Sequence, residues 1–289
     1  MFRHPWAPYA FLAPAFLGLF FFRFIPIGMS GIGSLLAENL RGETTFVGFK
    51  NYAELVEDPA FWNTIRITLI FNLIINPFQI CCAMALALLV RRPGRFIDIF
   101  RLGFIMPMTV SIALTSIIWS ILLDPSLGPV NGILRWAGFP AQPFFRSENQ
   151  ALTTLILVAT WKGAGYWMIF LLSGLLAIPK EIDESALVDG ANSLQKFISI
   201  TLPLMKRPLS FVLVADTAAN FLLFAPVYII TNGGPNGATQ LLMFEAYQAA
   251  FAYINHGRSM AISTIILFVV IVIAIIELRL FKPAEGEQS

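Results

Sequence analysis

The sequence predicts an all-α membrane protein with six transmembrane helices. Hydrophobic residues fill 57% of the 289 positions and charged residues only 12%, whereas a soluble domain carries roughly 25% charged residues. Apolar runs that reach the roughly 20 residues needed to cross a bilayer recur along the chain. We expect one transmembrane domain over residues 1–289, with spans at 9–36, 64–90, 104–123, 151–178, 209–230 and 260–280.

The basic residues between the spans predict the orientation in the membrane, because cytoplasmic loops are enriched in lysine and arginine. The larger group marks the predicted cytoplasmic side, with both termini and residues 180–207: Arg3, Arg91, Arg92, Arg95, Arg101, Lys180, Lys196, Lys206, Arg207, Arg279 and Lys282. The smaller group lies on or near the other side: Arg41, Lys50, Arg66, Arg135, Arg146 and Arg258.

Polar side chains interrupt the second and third spans. The second span contains three amides near helical spacing: Asn72, Asn76 and Gln79. These amides either line a cavity or hydrogen-bond a neighbouring helix. In the third span, Ser111, Thr115 and Trp119 share one helix face. Hydroxyls and an indole on one face would suit a sugar, although small residues also allow close helix packing.

The fourth and fifth spans contain charged residues. A lysine inside a span is costly unless it pairs or lines a wet cavity, which makes its neighbourhood a candidate substrate pathway: Trp161, Lys162, Gly163 and Tyr166. Asp216 and Asn220 are the candidates in the fifth span. Asp216 is the natural partner for Lys162 or Arg23, either in a structural ion pair or on the pathway.

The polar stretch at 180–207 predicts two short helices separated by a break. Gly190 relaxes the backbone where the first helix ends. Asn192 or Ser193 can cap the second helix, and Pro203 is expected to end it. A helix lying on the membrane surface without a partner is the alternative interpretation.

This stretch resembles the EAA loop of binding-protein-dependent ABC importer permeases. The signature is Glu-Ala-Ala, three residues, Gly, nine residues and Ile-x-Leu-Pro, and Ser185 is the one departure from it. The resemblance implies the type I ABC importer permease fold and a loop that docks into a cleft on a cytoplasmic ATPase. The residues expected to couple to the ATPase are Glu184, Ser185, Ala186, Leu187, Asp189, Gly190, Ala191, Ile200, Leu202 and Pro203.

A second motif narrows the family to its carbohydrate type. On physical grounds Thr231-Asn232-Gly233-Gly234-Pro235 is a tight turn. It is similar to the Thr-x-Gly-Gly-Pro signature of carbohydrate permeases such as the larger maltose-transporter channel subunit and the first glycerol-phosphate permease subunit. Gly128, Asn131 and Leu134 resemble the Gly-x-x-Asn-x-x-Leu of the same family.

The resemblance implies that the chain works together with several partners. They are a second homologous permease, two ATPase subunits, an extracytoplasmic solute-binding protein, the lipid bilayer of a bacterial or archaeal cytoplasmic membrane, and a sugar. The sequence contains no Gly-Lys dipeptide, so a P-loop is absent. We therefore expect no catalytic residue and no cofactor on this chain, with ATP and magnesium bound by the ATPase.

Other functions are less consistent with the composition. A net charge of +2 is too small to indicate nucleic acid. Cys81 and Cys82 are adjacent within an apolar span, and two ligands alone make no zinc site. Three alternatives stay open: a permease for a non-sugar solute, a purely structural membrane subunit, and an ion-coupled secondary carrier that uses Lys162 and Asp216 as its relay.

Overall fold

The computed structural model describes residues 6–38, 42–92 and 94–281; the predicted topology residues Arg3, Arg41 and Lys282 lie outside them. The described chain is helical apart from one two-stranded sheet. The helices are α1 (Ala7–Leu19), α2 (Ile25–Gly33), α3 (Lys50–Glu57), α4 (Pro59–Leu89), α5 (Arg95–Thr109), α6 (Ile112–Leu122), α7 (Pro129–Trp136), α8 (Glu148–Leu176), α9 (Lys180–Val188), α10 (Ser193–Lys196), α11 (Leu202–Leu204), α12 (Lys206–Phe221), α13 (Leu242–Tyr247) and α14 (His256–Leu280). Short π-helical or 3-10 segments cover Phe20–Phe24, Phe144–Arg146, Phe197–Thr201, Val227–Thr231 and Gln248–Ala252.

Between four and six candidate membrane spans are present in the described chain. Four are single helical stretches: Tyr9–Gly33, Pro59–Leu89, Glu148–Leu176 and His256–Leu280. Two more qualify only as bent pairs, Phe96–Thr109 with Ile112–Leu122 at 98° and Ser193–Leu204 with Lys206–Phe221 at 71°. The predicted number of six is reached when each bent pair is counted as one span.

The third predicted span, 104–123, is not one continuous helix. The chain breaks at Val110, whose backbone is extended with φ −77° and ψ 140°. The hydroxyl of Ser111 then accepts a hydrogen bond of 3.2 Å from the amide of Leu114 and caps α6. This cap supplies a partner for one of the amides that lack a helical partner at the new amino end.

Two other predicted spans are too long. The run at 9–36 is helical only to Gly33, because Leu36–Glu38 forms strand β1, which pairs antiparallel with β2 (Thr44–Phe46). The all-α prediction missed this sheet. The run at 209–230 is interrupted after Phe221, and helical structure resumes at Ala225 and Pro226, because a proline ring without an N–H is tolerated at a helix start.

The described chain falls into two compact units. One comprises residues up to Trp62 with Glu245–Phe268, and the other comprises Asn63–Phe244 with residues from Val269 onward. Helices α4 and α14 contribute residues to both units. The single domain over 1–289 stays a prediction.

An ion cluster organises the first unit. Arg258 at the start of α14 donates to Asp58 over 2.6 Å and to Glu245 over 3.2 Å. The hydrogen bond from Arg258 is the main reason that the pKa of Asp58 lies below its ordinary value of 3.8. Asn51 adds a buried amide that donates to the carbonyls of Ser34 and Leu36 at 2.7 and 2.9 Å. These bonds join α3 to the chain that leads into the hairpin.

The second unit is built around an apolar core shared by α4, α8 and α12. The core comprises Ala83, Met84, Ala87, Val90, Trp167, Met168, Leu171, Leu175, Met205, Leu209 and Val212. Glycine allows α8 to approach its neighbours closely: a Cβ on Gly174 would lie 2.6 Å from Cγ of Pro208, and one on Gly165 would lie 1.8 Å from the carbonyl oxygen of Phe104.

Replacing Arg258 by methionine should lower the free energy of unfolding by about 1 kcal/mol at neutral pH, because two charge-assisted hydrogen bonds are lost. The loss is no larger because the charged side chains are partly exposed to solvent. Since the pKa of Asp58 is depressed in the folded state, its contribution is complete above the ordinary pKa and disappears as the pH falls through the folded-state pKa. Thermal unfolding in detergent across this pH range measures the effect. The control is Lys50→Met, which breaks an exposed 3.8 Å pair with Glu54; an equal loss in both variants would contradict this account.

Gly165→Ala should destabilise the second unit by about 1–3 kcal/mol, because the new methyl group meets a backbone carbonyl that cannot rotate away. Gly103→Ala is the matched control on α5, where nothing lies within 4 Å of the added carbon. The measurement is the fraction of each variant that stays monodisperse after heating. We expect this fraction to fall for Gly165→Ala and to equal or slightly exceed that of the unaltered protein for Gly103→Ala. Similar behaviour of the two variants would show that α5 and α8 are not in close contact.

Candidate functional site

A cavity of about 400 Å³ lies within the second unit between α4, α6, α8 and α12. Six predicted pathway residues line it: Thr115, Lys162, Gly163, Tyr166, Asp216 and Asn220. Gln79 also lines it, and its amide donates to Asp216. Gln79 therefore does both things that were considered for the amides of the second span: it lines a cavity and it hydrogen-bonds a neighbouring helix. The roles of these residues in transport stay predictions.

The other three predicted pathway residues lie elsewhere. Ser111 is the cap of α6. The rings of Trp119 and Trp161 meet edge to face with centroids 5.3 Å apart, and Trp119 lines a separate cavity of about 440 Å³. The three residues predicted to share one helix face therefore do not line one cavity. Thr115 and Trp119 line different cavities, and the break at Val110 makes Ser111 the cap of α6.

Asp216 is fully buried and joins three helices. Its Oδ1 accepts 2.6 Å from the indole of Trp167 on α8 and 3.1 Å from the amide of Gln79 on α4. Its Oδ2 has no hydrogen-bond partner in the described chain. Among the described residues of this unit, Lys162 forms no ion pair with Asp216; the neutral donors Trp167 and Gln79 bind Asp216 instead.

Lys162 is bound at the helix break. Its ammonium donates to the carbonyl of Pro107 over 3.1 Å and to that of Val110 over 2.5 Å. Carbonyl groups in the last turn of a helix lack intrahelical partners. Lys162 supplies the missing donors and attaches α8 to the bend between α5 and α6.

A chain of hydrogen bonds leads from the cavity wall to the last helix. Asn220 donates to Asn76, Asn76 donates to Thr217, and Thr217 donates to Glu277, each over 2.8 Å. Glu277, in the last predicted span, is not among the residues predicted from the sequence to form the site. The sequence does contain a signal for Glu277, because an acidic residue between apolar neighbours in a membrane span indicates a functional role or a polar partner.

The predicted coupling segment, residues 180–207, has the expected order of a helix, a break and a second helix. Helix α9 ends before Gly190, which has φ +75°, and Asn192 forms a capping box with Gln195 at the start of α10. Ala186 is buried, whereas Glu184, Ser185 and Asp189 are exposed. Leu187 and Ala191 lie on the same segment, and their coupling role is likewise untested.

Pro203 does not end the second helix as predicted. The chain passes from α10 through a π-helical turn to α11, and Pro203 lies within the first turn of α11, where its missing N–H is tolerated. The bend comes at Met205. Ile200 is half-buried and Leu202 is exposed on this part of the segment.

The Gly-Gly-Pro motif forms a tight turn, as predicted. Asn232 and Gly233 have φ +49° and +80°, a region that L residues other than asparagine and aspartate seldom adopt. The hydroxyl of Thr239 lies 2.7 Å from that of Thr231 and 2.8 Å from the carbonyl oxygen of Gly234. These contacts close the turn.

Comparison with known proteins assigns the chain to a family. The sequence profile of the binding-protein-dependent transport system inner membrane component matches residues 79–284. This chain belongs to that family.

Relatives and solved structures agree with the family. This chain is 31% identical over 274 residues to the sn-glycerol-3-phosphate transport system permease protein UgpA of Agrobacterium fabrum (strain C58), covering 94% of this chain and 93% of that protein. It is 32% identical over 289 residues to the arabinooligosaccharides transport system permease protein AraP of Bacillus subtilis (strain 168), covering 97% and 90%.

The fold of this chain is similar to that of a solved transporter chain. A chain in the crystal structure of a bacterial alginate ABC transporter, in complex with its alginate pentasaccharide-bound periplasmic protein, superposes with a TM-score of 0.83 at 21% identity, covering 95% of this chain and 93% of that one. The predicted ABC importer permease fold is thereby confirmed.

Lys162→Met should lower the free energy of unfolding by about 1–3 kcal/mol, because two carbonyls at the bend lose their donor. Lys206→Met, at the exposed start of α12, is the control and should change little. Thermal melting of both variants in detergent distinguishes the two positions. If Lys162→Met melted like the control, the lysine would not stabilise the bend.

Proposed function

We propose that this chain is one pore-forming permease subunit of an ATP-driven importer that moves a sugar or sugar derivative into the cytoplasm by alternating access. The family membership supports transport, and the surface of the coupling segment supports the ATP-driven mechanism. A second homologous permease completes the pore, two ATPase subunits carry ATP and magnesium, and an extracytoplasmic binding protein delivers the cargo.

The observation that carries this proposal is the exposed apolar surface of the coupling segment. Val188 is 88% exposed and Leu194 is 66% exposed, on either side of Gly190. Exposed apolar side chains rimmed by polar residues mark an interaction surface. Glu184 and Asp189 provide the polar rim. A protein that docks here would contact the chain on both sides of Gly190.

The coupling segment is connected rigidly to the cavity. Met205, where the segment meets α12, is fully buried in the core shared by α4, α8 and α12. Three turns further along α12, Asp216 and Asn220 line the cavity. Displacement of the segment would therefore move the cavity wall, because a packed core transmits strain rather than absorbing it.

The topology proposed for this subunit has six spans with both termini in the cytoplasm of a bacterium or archaeon. Each bent pair then crosses the membrane once. The excess of basic residues on the side of residues 180–207 supports this orientation, and the orientation brings the coupling segment within reach of a cytoplasmic ATPase.

The names of the related transport proteins support a cargo of the carbohydrate class. UgpA is named for glycerol 3-phosphate, AraP for arabinooligosaccharides, and the solved transporter for alginate. A permease for a non-sugar solute remains the second candidate. An ion-coupled carrier is disfavoured, because Lys162 binds backbone carbonyls and Asp216 binds neutral donors, so the two charges form no relay with each other.

Gly190→Pro should abolish substrate-stimulated ATP hydrolysis of the reconstituted transporter while leaving its assembly intact, because proline cannot adopt the φ of +75° that joins α9 to the second helix. Glu184→Lys should have the same effect through charge reversal on the docking surface.

The control for Gly190→Pro is Gly138→Pro. Gly138 also has a positive φ, +83°, and also has nothing within 4 Å of an added Cβ, but it lies outside the coupling segment. Gly138→Pro should keep stimulated hydrolysis near that of the unaltered transporter. Normal stimulation in Gly190→Pro would count against the coupling role.

A further inference from the structure

The turn between α4 and α5 carries a dense group of positive charges. Residues 91–101, here called the arginine segment, contain four arginines and one aspartate and so have a net charge of +3: Arg91, Arg92, Arg95, Asp98 and Arg101. Arg92 is exposed and forms no hydrogen bond or ion pair with any residue that the structure describes. Four basic residues directly beside a membrane span are typical of a binding site for anionic lipid headgroups.

Arg101 holds this turn in a fixed shape. Its guanidinium donates to the carbonyl of Val90, just beyond the end of α4, over 3.1 Å from Nε and 2.5 Å from Nη2. It also donates to Asp98 over 3.1 Å, so the one acidic side chain of the arginine segment is already paired. The turn therefore anchors the start of α5 to the end of α4 and leaves an excess of positive charge at the surface.

The outward face of α5 is apolar and lies directly beside this charge. Four large apolar side chains recur there at helical spacing and are 58% to 80% exposed: Phe96, Ile99, Phe100 and Met106. The opposite face of α5 packs against the core of the second unit through Phe104 and Ile105. The arginine segment and the outward face together form an amphipathic surface, of the kind that binds at the boundary between lipid headgroups and acyl chains.

We propose that the arginine segment and the outward face of α5 bind an anionic phospholipid from the cytoplasmic leaflet. Guanidinium groups bind phosphate through parallel hydrogen bonds, which suits the headgroup. The exposed side chains of the outward face offer an apolar surface to the acyl chains of the same molecule.

A lipid matches both parts of this surface, whereas other occupants match only one. Free phosphate would use the charge and leave the apolar face uncovered. An apolar contact with another protein chain would leave the arginines unmatched. The coupling segment, on the same predicted side of the membrane, contains four basic and four acidic residues. Its net charge is therefore zero, and it lacks the same attraction for an anion.

The probes for this site are phosphatidylglycerol and phosphatidylcholine that carry the same photoreactive acyl chain. Each is added to the assembled, detergent-solubilised transporter, and the cross-linked residues are mapped by mass spectrometry. Phosphatidylglycerol should label residues 96–106 at least tenfold more than phosphatidylcholine, because only the anionic headgroup is attracted by the arginines. Excess unlabelled phosphatidylglycerol should compete, whereas inorganic phosphate at the same concentration should not.

Three results would overturn the proposal. Equal labelling by the two lipids would mean that α5 meets the bilayer without selecting a headgroup. Competition by inorganic phosphate would mean that an ion alone occupies the arginine segment. Absence of labelling at residues 96–106 by either lipid would mean that something other than lipid covers the outward face.

Two double variants assign the selectivity to the arginine segment. Arg91→Gln with Arg92→Gln should lower labelling by phosphatidylglycerol about tenfold and leave labelling by phosphatidylcholine unchanged. Arg101 is kept, so the turn retains its shape. Lys206→Gln with Arg207→Gln removes the same charge from an adjacent, exposed pair at the start of α12 and should leave labelling of α5 unchanged. Equal losses in the two double variants would show that labelling follows the total charge of the protein, and would overturn the assignment.

This inference rests on the proposed cytoplasmic position of residues 91–101 and is independent of the cargo. Substrate-stimulated ATP hydrolysis is therefore measured on the same transporter samples. Stimulated hydrolysis without selective labelling overturns the lipid site and upholds the importer. Selective labelling without stimulated hydrolysis supports the lipid site and counts against the importer.

Discussion

The buried carboxylate of Asp216 is the constraint on which the second unit depends. A charge or carboxyl group in an apolar interior is tolerated only with hydrogen-bond partners. Two partners come from other helices, Trp167 on α8 and Gln79 on α4. Asp216 on α12 therefore fixes the side-by-side arrangement of three helices. The apolar core formed by the same three helices supports this arrangement from the adjoining turns.

This arrangement links the coupling segment to the cavity through α12. The coupling segment enters the core at Met205. Helix α8 approaches α12 so closely at Gly174 that an added Cβ would lie 2.6 Å from Cγ of Pro208. Asp216 and Asn220 lie further along the same helix. The coupling segment and the cavity-lining part of α12 thus lie on one stretch of chain, which bends by 71° at Met205 and is buried in the core at that bend.

Local chemistry made parts of the fold predictable from the sequence. The break at Gly190 and the cap at Asn192 depend on residues within a few positions of each other. Side chains that pair across helices were less predictable. Asp216 was the candidate partner of Lys162 or Arg23, whereas it binds Trp167 and Gln79, and Lys162 binds the carbonyls of Pro107 and Val110. The hairpin of β1 and β2 was missed because three-residue strands show too little alternation. At the sharp break, the carbonyl of Val110 accepts a hydrogen bond from Lys162 on a helix distant in sequence, a contact that local sequence patterns do not reveal.

The most direct test of the account is site-specific photocrosslinking from the coupling segment. A photoreactive residue in place of Val188 or Leu194, both exposed, would be introduced into the assembled transporter in native membranes. The account predicts a cross-link to a nucleotide-hydrolysing chain, in the nucleotide-free and in the ATP-bound state. Cross-links only to lipid, or to no protein in either state, would contradict it.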